Sequence, residues 1–296
     1  MAGTAKFVME SDEVEALVQK CGGTVLDLLA SLTKSAKMLA RPTISKFHVG
    51  AVGLSSDGRI FIGVNLEFPG LPLHHSVHAE QFLITNAVIN GATKIEYIAV
   101  SSIPCGHCRQ FLQEIRGASE IKILVTTEAE EVTYKPLSYL LPHQFGPDDL
   151  LEKEAPLLLE APSNELVWAP RNGTDGAEEE LRDAAVEAAN RSHAPYTGCP
   201  SGVALRDSRG RVFTGSYSES AAYSPSLGPL HAAIVAYVAR GSGGYEEIDA
   251  VALVEKEDAV VRQESTVRLL IQAISPQCDF RVFRCRKSAK IHSHSD

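Results

Sequence analysis

Between residues 24 and 39, apolar side chains return every three or four positions. Val25, Leu28, Leu29 and Leu32 therefore fall on one side of a helix. Upstream, Ser11 and Asp12 can cap a shorter helix over 13–21, which Gly22 and Gly23 interrupt. Pro42 prevents much continuation of the second helix, since proline has no N–H to donate. The pattern then changes period. Residues 49–54 and 60–64 read as strands joined by a turn at Asp57-Gly58, a hairpin signal. The stretch 65–77, rich in Pro, Gly and His, predicts a loop. A helix over 78–90 closed by Gly91, a strand over 95–100, a helix over 105–115 opened by Pro104, and a strand over 121–125 complete the series. Helix, hairpin, helix, strand, helix, strand predicts an α/β layered domain with a mixed sheet.

From 146 to 176 the periodicity dissolves under Pro147, Pro156, Pro162, Pro170, Gly173 and Gly176. This predicts a connector along the surface of the first domain, with a short strand at 156–159. The first pattern then recurs. A helix is expected over 177–191, Val203-Ala204-Leu205 matches the first hairpin strand, and Arg211-Val212-Phe213 matches Arg59-Ile60-Phe61. Gly202 and Gly50, Gly215 and Gly63, and Glu219 and Glu67 are all separated by 152 positions. One offset held across a whole hairpin points to a duplicated domain. The division expected is 1–145, a connector over 146–176, and a second domain over 177–296. In the copy, His231 follows His78 at a separation of 153, which implies one inserted residue and puts Ala233 where Glu80 stands. No Pro-Cys-x-x-Cys follows; a strand over 250–254 leads into Glu255-Lys256-Glu257-Asp258. The copy is expected to keep the fold and lack the chemistry.

Charge and cysteine usage narrow the classes. The chain of 296 residues carries a net charge of −9. Its densest basic run, 281–290, is no stripe of the kind that tracks a polynucleotide. A small, weakly charged substrate is expected, and no nucleic-acid partner. Of six cysteines, Cys105 and Cys108 belong to a candidate metal site, and Cys21, Cys199, Cys278 and Cys285 are scattered without a disulfide framework, which suggests a reducing compartment. Residues 1–12 do not read as a secretory signal, and no apolar run approaches the ~18 residues of a membrane span. A soluble, cytoplasmic protein with no membrane partner is the expectation.

The chemistry concentrates in His78-Ala79-Glu80 and Pro104-Cys105-Gly106-His107-Cys108. One imidazole and two thiolates are three zinc ligands, and three ligands leave a tetrahedral position open, as a catalytic rather than a structural site requires. Glu80, two residues from the first ligand, is placed to carry protons. His78 is expected at one helix start, and Cys105 and Cys108 on the first turn of another, where the helix dipole favours thiolates. Their spacing of three puts both sulfurs on one helix face. Alone, the two cysteines could equally be a redox pair or half a structural zinc site. His74, His75 and His107 read as neighbours of the site or as solvated, His231 as a satisfied structural histidine, and His292 and His294 as parts of a disordered tail.

Together the hairpin, Asn65-Leu66-Glu67, His78-Ala79-Glu80-Gln81, the run from Pro104 to Phe111 and the degenerate copy resemble the cytidine deaminase family. Within it they resemble the two-domain, homodimeric type, in which the first domain is catalytic. The family's single-domain members use three Cys ligands, whereas this chain has His78 at the first position. The resemblance implies two tandem α/β/α layered domains with mixed sheets, and one zinc per chain on His78, Cys105 and Cys108. It implies Glu80 as proton shuttle, and a homodimer in which Phe145 reaches the partner's site. By the same resemblance Asn65 and Glu67 would bind ribose hydroxyls, Phe47 would stack on the pyrimidine, and Ala79 would touch the substrate. An amide beside a carboxylate does suit vicinal hydroxyls, one donating and the other accepting. In the copy, Cys199 stands for Phe47 and Tyr217 for Asn65. The activity implied is hydrolysis of cytidine and deoxycytidine to uridine, or deoxyuridine, and ammonia in pyrimidine salvage. A deaminase of nucleotides or polynucleotides, and a zinc protein without activity, are the rival classes.

Overall fold

The computed structural model describes residues 6–127, 133–160, 162–168, 176–241 and 243–288. Val8–Met9 (β1) lead into Ser11–Cys21 (α1) and Val25–Lys37 (α2). The α1 helix starts two residues earlier than expected, on Glu10 as N-cap, and Gly22 ends it with φ 69°. Thr24 and Asp27 box the start of α2: the Thr24 hydroxyl accepts the Asp27 N–H at 3.2 Å, and the Asp27 carboxylate accepts the Thr24 N–H at 2.9 Å. There follow Gly50–Ser55 (β2), Ile60–Val64 (β3), Ala79–Ile89 (α3), Ile95–Val100 (β4), Gly106–Phe111 (α4), Lys122–Val125 (β5), Lys135–Pro136 (β6) and Leu137–Leu140 (α5). The helix expected over 105–115 is shorter, because it tightens into a 3₁₀ turn at Leu112–Glu114. The second half runs Leu166–Val167 (β7), Gly176–Asn190 (α6), Ser201–Asp207 (β8), Val212–Ser216 (β9), Pro229–Ala239 (α7), Ile248–Lys256 (β10), Glu264–Ile274 (α8) and Asp279–Lys287 (β11).

The sheets repeat each other. One runs β1-β3-β2-β4-β5-β6 and the other β7-β11-β10-β8-β9. Each has one parallel pair, β4 with β5 and β10 with β11, in an otherwise antiparallel ladder. Two glycines show how the layers stack. Gly50 pairs with Val64, and Ala51 with Gly63, so the two glycines point to opposite faces of the sheet. A Cβ on Gly50 would lie 2.5 Å from the Lys37 nitrogen in α2. One on Gly63 would lie 2.2 Å from the Ala79 carbonyl in α3. Helices therefore cover both faces, with backbone against backbone. Gly202 and Gly215 meet α6 and α7 in the same way. The repeated glycines are thus the points at which helix touches strand.

The connector departs from its expected form. Residues 156–159 make a turn rather than a strand, closed by the Glu160 N–H on the Leu157 carbonyl at 2.9 Å. Leu157, Leu158 and Leu159 are buried. The Arg116 guanidinium grips the Lys153 and Ala155 carbonyls and the Glu160 carboxylate. The apolar run is an anchor on the first domain. The strand of this stretch is β7, which joins the second sheet against β11. Along β11, Arg281, Arg284 and Arg286 pair with Asp279, Glu264 and Glu257.

The α3 helix is buried on every side from Ala79 to Ala87. It packs on β3 and also on α7, which is itself buried from Pro229 to Val238. A helix that is buried all round needs neighbours all round. Side chains of both domains consequently share one continuous core.

The inserted residue expected before His231 is absent. Leu66 bridges Val77, and Ser218 bridges Leu227, so the separation falls from 152 before the loop to 150 after it. The loop has lost two residues. Gly63 would meet the Ala79 carbonyl and Gly215 the Pro229 carbonyl, again 150 apart. His78 therefore corresponds to Gly228, the two N-caps of α3 and α7. Glu80 corresponds to Leu230 and Gln81 to His231. Matching the two histidines by residue type put the copy three residues out of register.

Candidate active site

His78 is the N-cap of α3 and Cys105 the N-cap of α4. Two helix starts thus converge, each presenting unpaired N–H groups. Pro104 immediately precedes the N-cap of α4, and its carbonyl accepts from Arg109 Nε at 2.7 Å. Arg109 also donates to the Leu140 carbonyl at 2.7 Å, tying the cysteine turn to α5. The Gln81 side chain accepts the His78 N–H at 3.3 Å and fixes the entry into α3.

His78 Nδ1 lies 3.5 Å from Cys105 Sγ and 3.3 Å from Cys108 Sγ, and the two sulfurs are 3.7 Å apart. A tetrahedral zinc at ordinary bond lengths spaces two sulfurs about 3.8 Å apart and sulfur from nitrogen about 3.6 Å. The donor set therefore matches three corners of a zinc tetrahedron, and it is the one group of this kind among the described residues. The three donors are also electrostatically coupled. The hydrogen bond between Cys105 and Cys108, aided by His78, pulls the Cys105 thiol down to about 3. The same bond, together with burial, pushes Cys108 well above the ordinary thiol value. The Cys105 sulfur raises His78.

Glu80 is buried in the first turn of α3, with Oε2 3.2 Å from Cys108 Sγ. Burial raises its carboxyl above the usual range, which suits a group that must both take and return a proton. His107 stacks on the His78 ring at 5.1 Å, at the edge of the donor set.

Beside this group lies a cavity of about 350 Å³. Phe47, Asn65, Glu67, His78, Ala79, Glu80 and Cys105, all expected from the sequence, line it. Ser45, Val49, Leu73, Ser76, Val77, Ser102 and Ile103 also line it and were not foreseen. Ser102 and Ile103 adjoin Pro104, so their proximity to the cysteines was the available signal; Leu73 and Ser76 carried none. Phe145 lies outside this cavity, 45% exposed, and its carbonyl accepts from Gln110. His292 and His294 fall outside the described residues.

Asn65 and Glu67 also hold the loop that carries Phe47. Asn65 Oδ1 accepts the Val49 N–H at 2.9 Å and its Nδ2 donates to the Phe47 carbonyl at 2.9 Å. Glu67 Oε2 accepts the Ile44 and Ser45 N–H groups at 2.7 and 2.8 Å, and Oε1 accepts the Ser45 hydroxyl. Burial opposes the Glu67 charge, but the Ser45 hydroxyl and the two amides outweigh it and keep the carboxyl below its ordinary value.

The second domain repeats this clamp without the chemistry. Glu219 accepts the Tyr196 and Thr197 N–H groups and the Thr197 hydroxyl. Where the first domain has His78 and Glu80 it has Gly228 and Leu230, and the N-cap of α8 is Gln263. Tyr217 and Cys199 are buried where Asn65 and Phe47 line a cavity.

Two stretches of the chain, 26–125 and 137–268, each match the family model for the cytidine and deoxycytidylate deaminase zinc-binding region. Cytidine deaminase 1 of Arabidopsis thaliana is 55% identical over 293 residues, covering 94% of this chain and 97% of that protein. Cytidine deaminase 6 of the same plant is 49% identical, covering 88% of this chain and 93% of that protein. Among solved structures, cytidine deaminase from Mycobacterium tuberculosis is 30% identical with a TM-score of 0.36, covering 40% of this chain and 96% of that one.

Proposed function

Since the chain belongs to the cytidine and deoxycytidylate deaminase family, we propose that its first domain hydrolyses cytidine, and deoxycytidine, to uridine or deoxyuridine and ammonia with one zinc per chain. His78 Nδ1, Cys105 Sγ and Cys108 Sγ would hold the zinc. When bound, it supplies Lewis acidity that makes a water molecule a competent nucleophile at neutral pH. Every remaining task falls to side chains. The oxygen that adds to ring C4 gives one proton to Glu80, which passes it to ring N3. The carboxylate then takes the remaining hydroxyl proton and hands it to the amine as the C4–N bond breaks. Water and cytidine are consumed, uridine and ammonia leave, and Glu80 returns to its starting state. The observation that carries this reading is the buried Glu80 carboxyl, 3.2 Å from a donor sulfur and on the wall of a cavity large enough for a pyrimidine nucleoside.

Phe47 at the cavity mouth would stack on the base, and the N–H of Ala79, in the first turn of α3, would face it. Asn65 and Glu67 would meet the ribose hydroxyls with the hydrogen-bonding capacity left after the loop is held. Phe47, Leu73 and Ile103 leave large apolar surface at the rim, 58, 55 and 50% exposed. This supports a homodimer in which a second copy, through Phe145, covers the mouth. The same reading divides the chain at 145 and 177, and assigns it to the cytoplasm and to pyrimidine salvage. No helix among the described residues is long and apolar enough to cross a membrane.

The test is Glu80→Ala. It should keep one zinc per chain and lose turnover by at least ~10²–10⁴-fold. Turnover above a tenth of wild type, with zinc retained, would remove Glu80 from the mechanism.

A further inference from the structure

We infer that His231, a residue of the second domain, is a positioning residue for the first domain's pocket; the inference rests on the deaminase reading. Its Nε2 lies 2.9 Å from the carbonyl oxygen of His75. A carbonyl only accepts, so Nε2 carries the hydrogen. His75 lies in the 3₁₀ turn Leu73–His75, and Leu73, Ser76, Val77 and His78 around it line the cavity. The bond therefore ties the pocket wall, just before the first zinc ligand, to α7.

A second bond runs the other way. Gln81 Nε2 donates to the Pro225 carbonyl at 3.0 Å. Gln81 and His231 occupy the same position in α3 and α7, 150 residues apart. So do their acceptors, His75 and Pro225. Each domain thus sends a side chain from the third helical position into the loop before the other's helix. The contact is reciprocal about the α3–α7 packing, and it is built rather than incidental. His231 is buried, its ring is parallel to that of His75 at 6.3 Å, and Phe68 meets it edge-on at 5.9 Å. The two halves differ in what they hold. Pro225 precedes Gly228 and a second domain without ligands, whereas His75 precedes His78. The Gln81 bond orients an amide that also accepts the His78 N–H, whereas the His231 bond is the one by which a second-domain side chain holds the wall of the pocket.

The chemistry specifies the test. In glutamine, as in histidine, Nε2 is four bonds from Cα; in asparagine the amide nitrogen is only three bonds away. His231→Gln can therefore restore the donor, as Gln81 does in the other half, and His231→Asn cannot. In the full-length chain, kcat and KM for cytidine and the amide hydrogen exchange of residues 73–77 would be measured for wild type, His231→Ala, His231→Gln and His231→Asn. Loss of one buried hydrogen bond should raise KM about fivefold in the alanine variant, with kcat within twofold of wild type, and speed exchange by a similar factor. Glutamine should bring both back, and asparagine neither. A folded alanine variant with unchanged KM and exchange would overturn the inference, as would asparagine restoring as well as glutamine. If the alanine variant does not fold, the glutamine and asparagine pair decides. A wild-type chain that releases no uridine would count against the deaminase reading, while the exchange arm would still decide the role of His231.

Discussion

Glu67 and Glu219 do one job in common and, on our account, one apart. Each carboxylate collects two backbone N–H groups and a hydroxyl from the loop before the hairpin. Glu67 also lines the cavity. Glu67→Gln and Glu219→Gln should each lower stability by about 1–2 kcal/mol, since hydrogen bonds to a charged acceptor are replaced by neutral ones. Glu219→Gln should leave kcat/KM unchanged, and Glu67→Gln should reduce it at least tenfold; urea denaturation and cytidine kinetics measure both. Equal kinetic losses would mean that the clamp alone matters. The His/Cys/Cys group and the buried Glu80 beside it could be expected from the sequence, because zinc and proton transfer restrict the residue types that can serve. The clamp was not legible, because a carboxylate that holds a loop and one that meets a ligand look alike in sequence until the loop has a shape.

At the scale of elements, helix α3 carries the site and Gly63 sets its height above the sheet. A methyl group there would lie 2.2 Å from the Ala79 carbonyl and 2.5 Å from the Leu83 nitrogen, so the helix would have to move. Gly63→Ala should cost about 1–3 kcal/mol of stability and weaken zinc binding about tenfold, because His78 and Glu80 travel with the helix. Gly215→Ala, equally crowded against Pro229 and Ala233, should cost similar stability and leave zinc affinity alone. Chelator competition and thermal melting would separate the two. Hairpins and helices were legible from their periodicity, and the constant separation of 152 exposed the duplication. The two-residue deletion before α7 was hidden by His231, which imitates a ligand in the sequence and serves another purpose in the fold. The leucines at 157–159 misled for a related reason. A short apolar run states that it will be buried, and Arg116 and the turn decide in what form.

For the whole molecule, the second domain shares its core with the first although it lacks the His/Cys/Cys group. Helices α3 and α7 share one core, and Glu114 of the first domain accepts from His193 at 3.1 Å, the Tyr196 hydroxyl at 2.7 Å and the Ala221 N–H at 2.7 Å in the second. A buried carboxylate so fully engaged locks the two halves together. The architecture offers two places for a zinc site, and residue chemistry fills one: Gly228, Leu230 and Gln263 cannot replace His78, Glu80 and Cys105. The most direct measurement is zinc content per chain together with uridine release from cytidine, on one sample and on its Cys108→Ser variant. We predict one zinc per chain and equal amounts of uridine and ammonia, with both zinc and turnover lost in the variant. Two zincs per chain, or uridine release that survives the loss of zinc, would contradict the account.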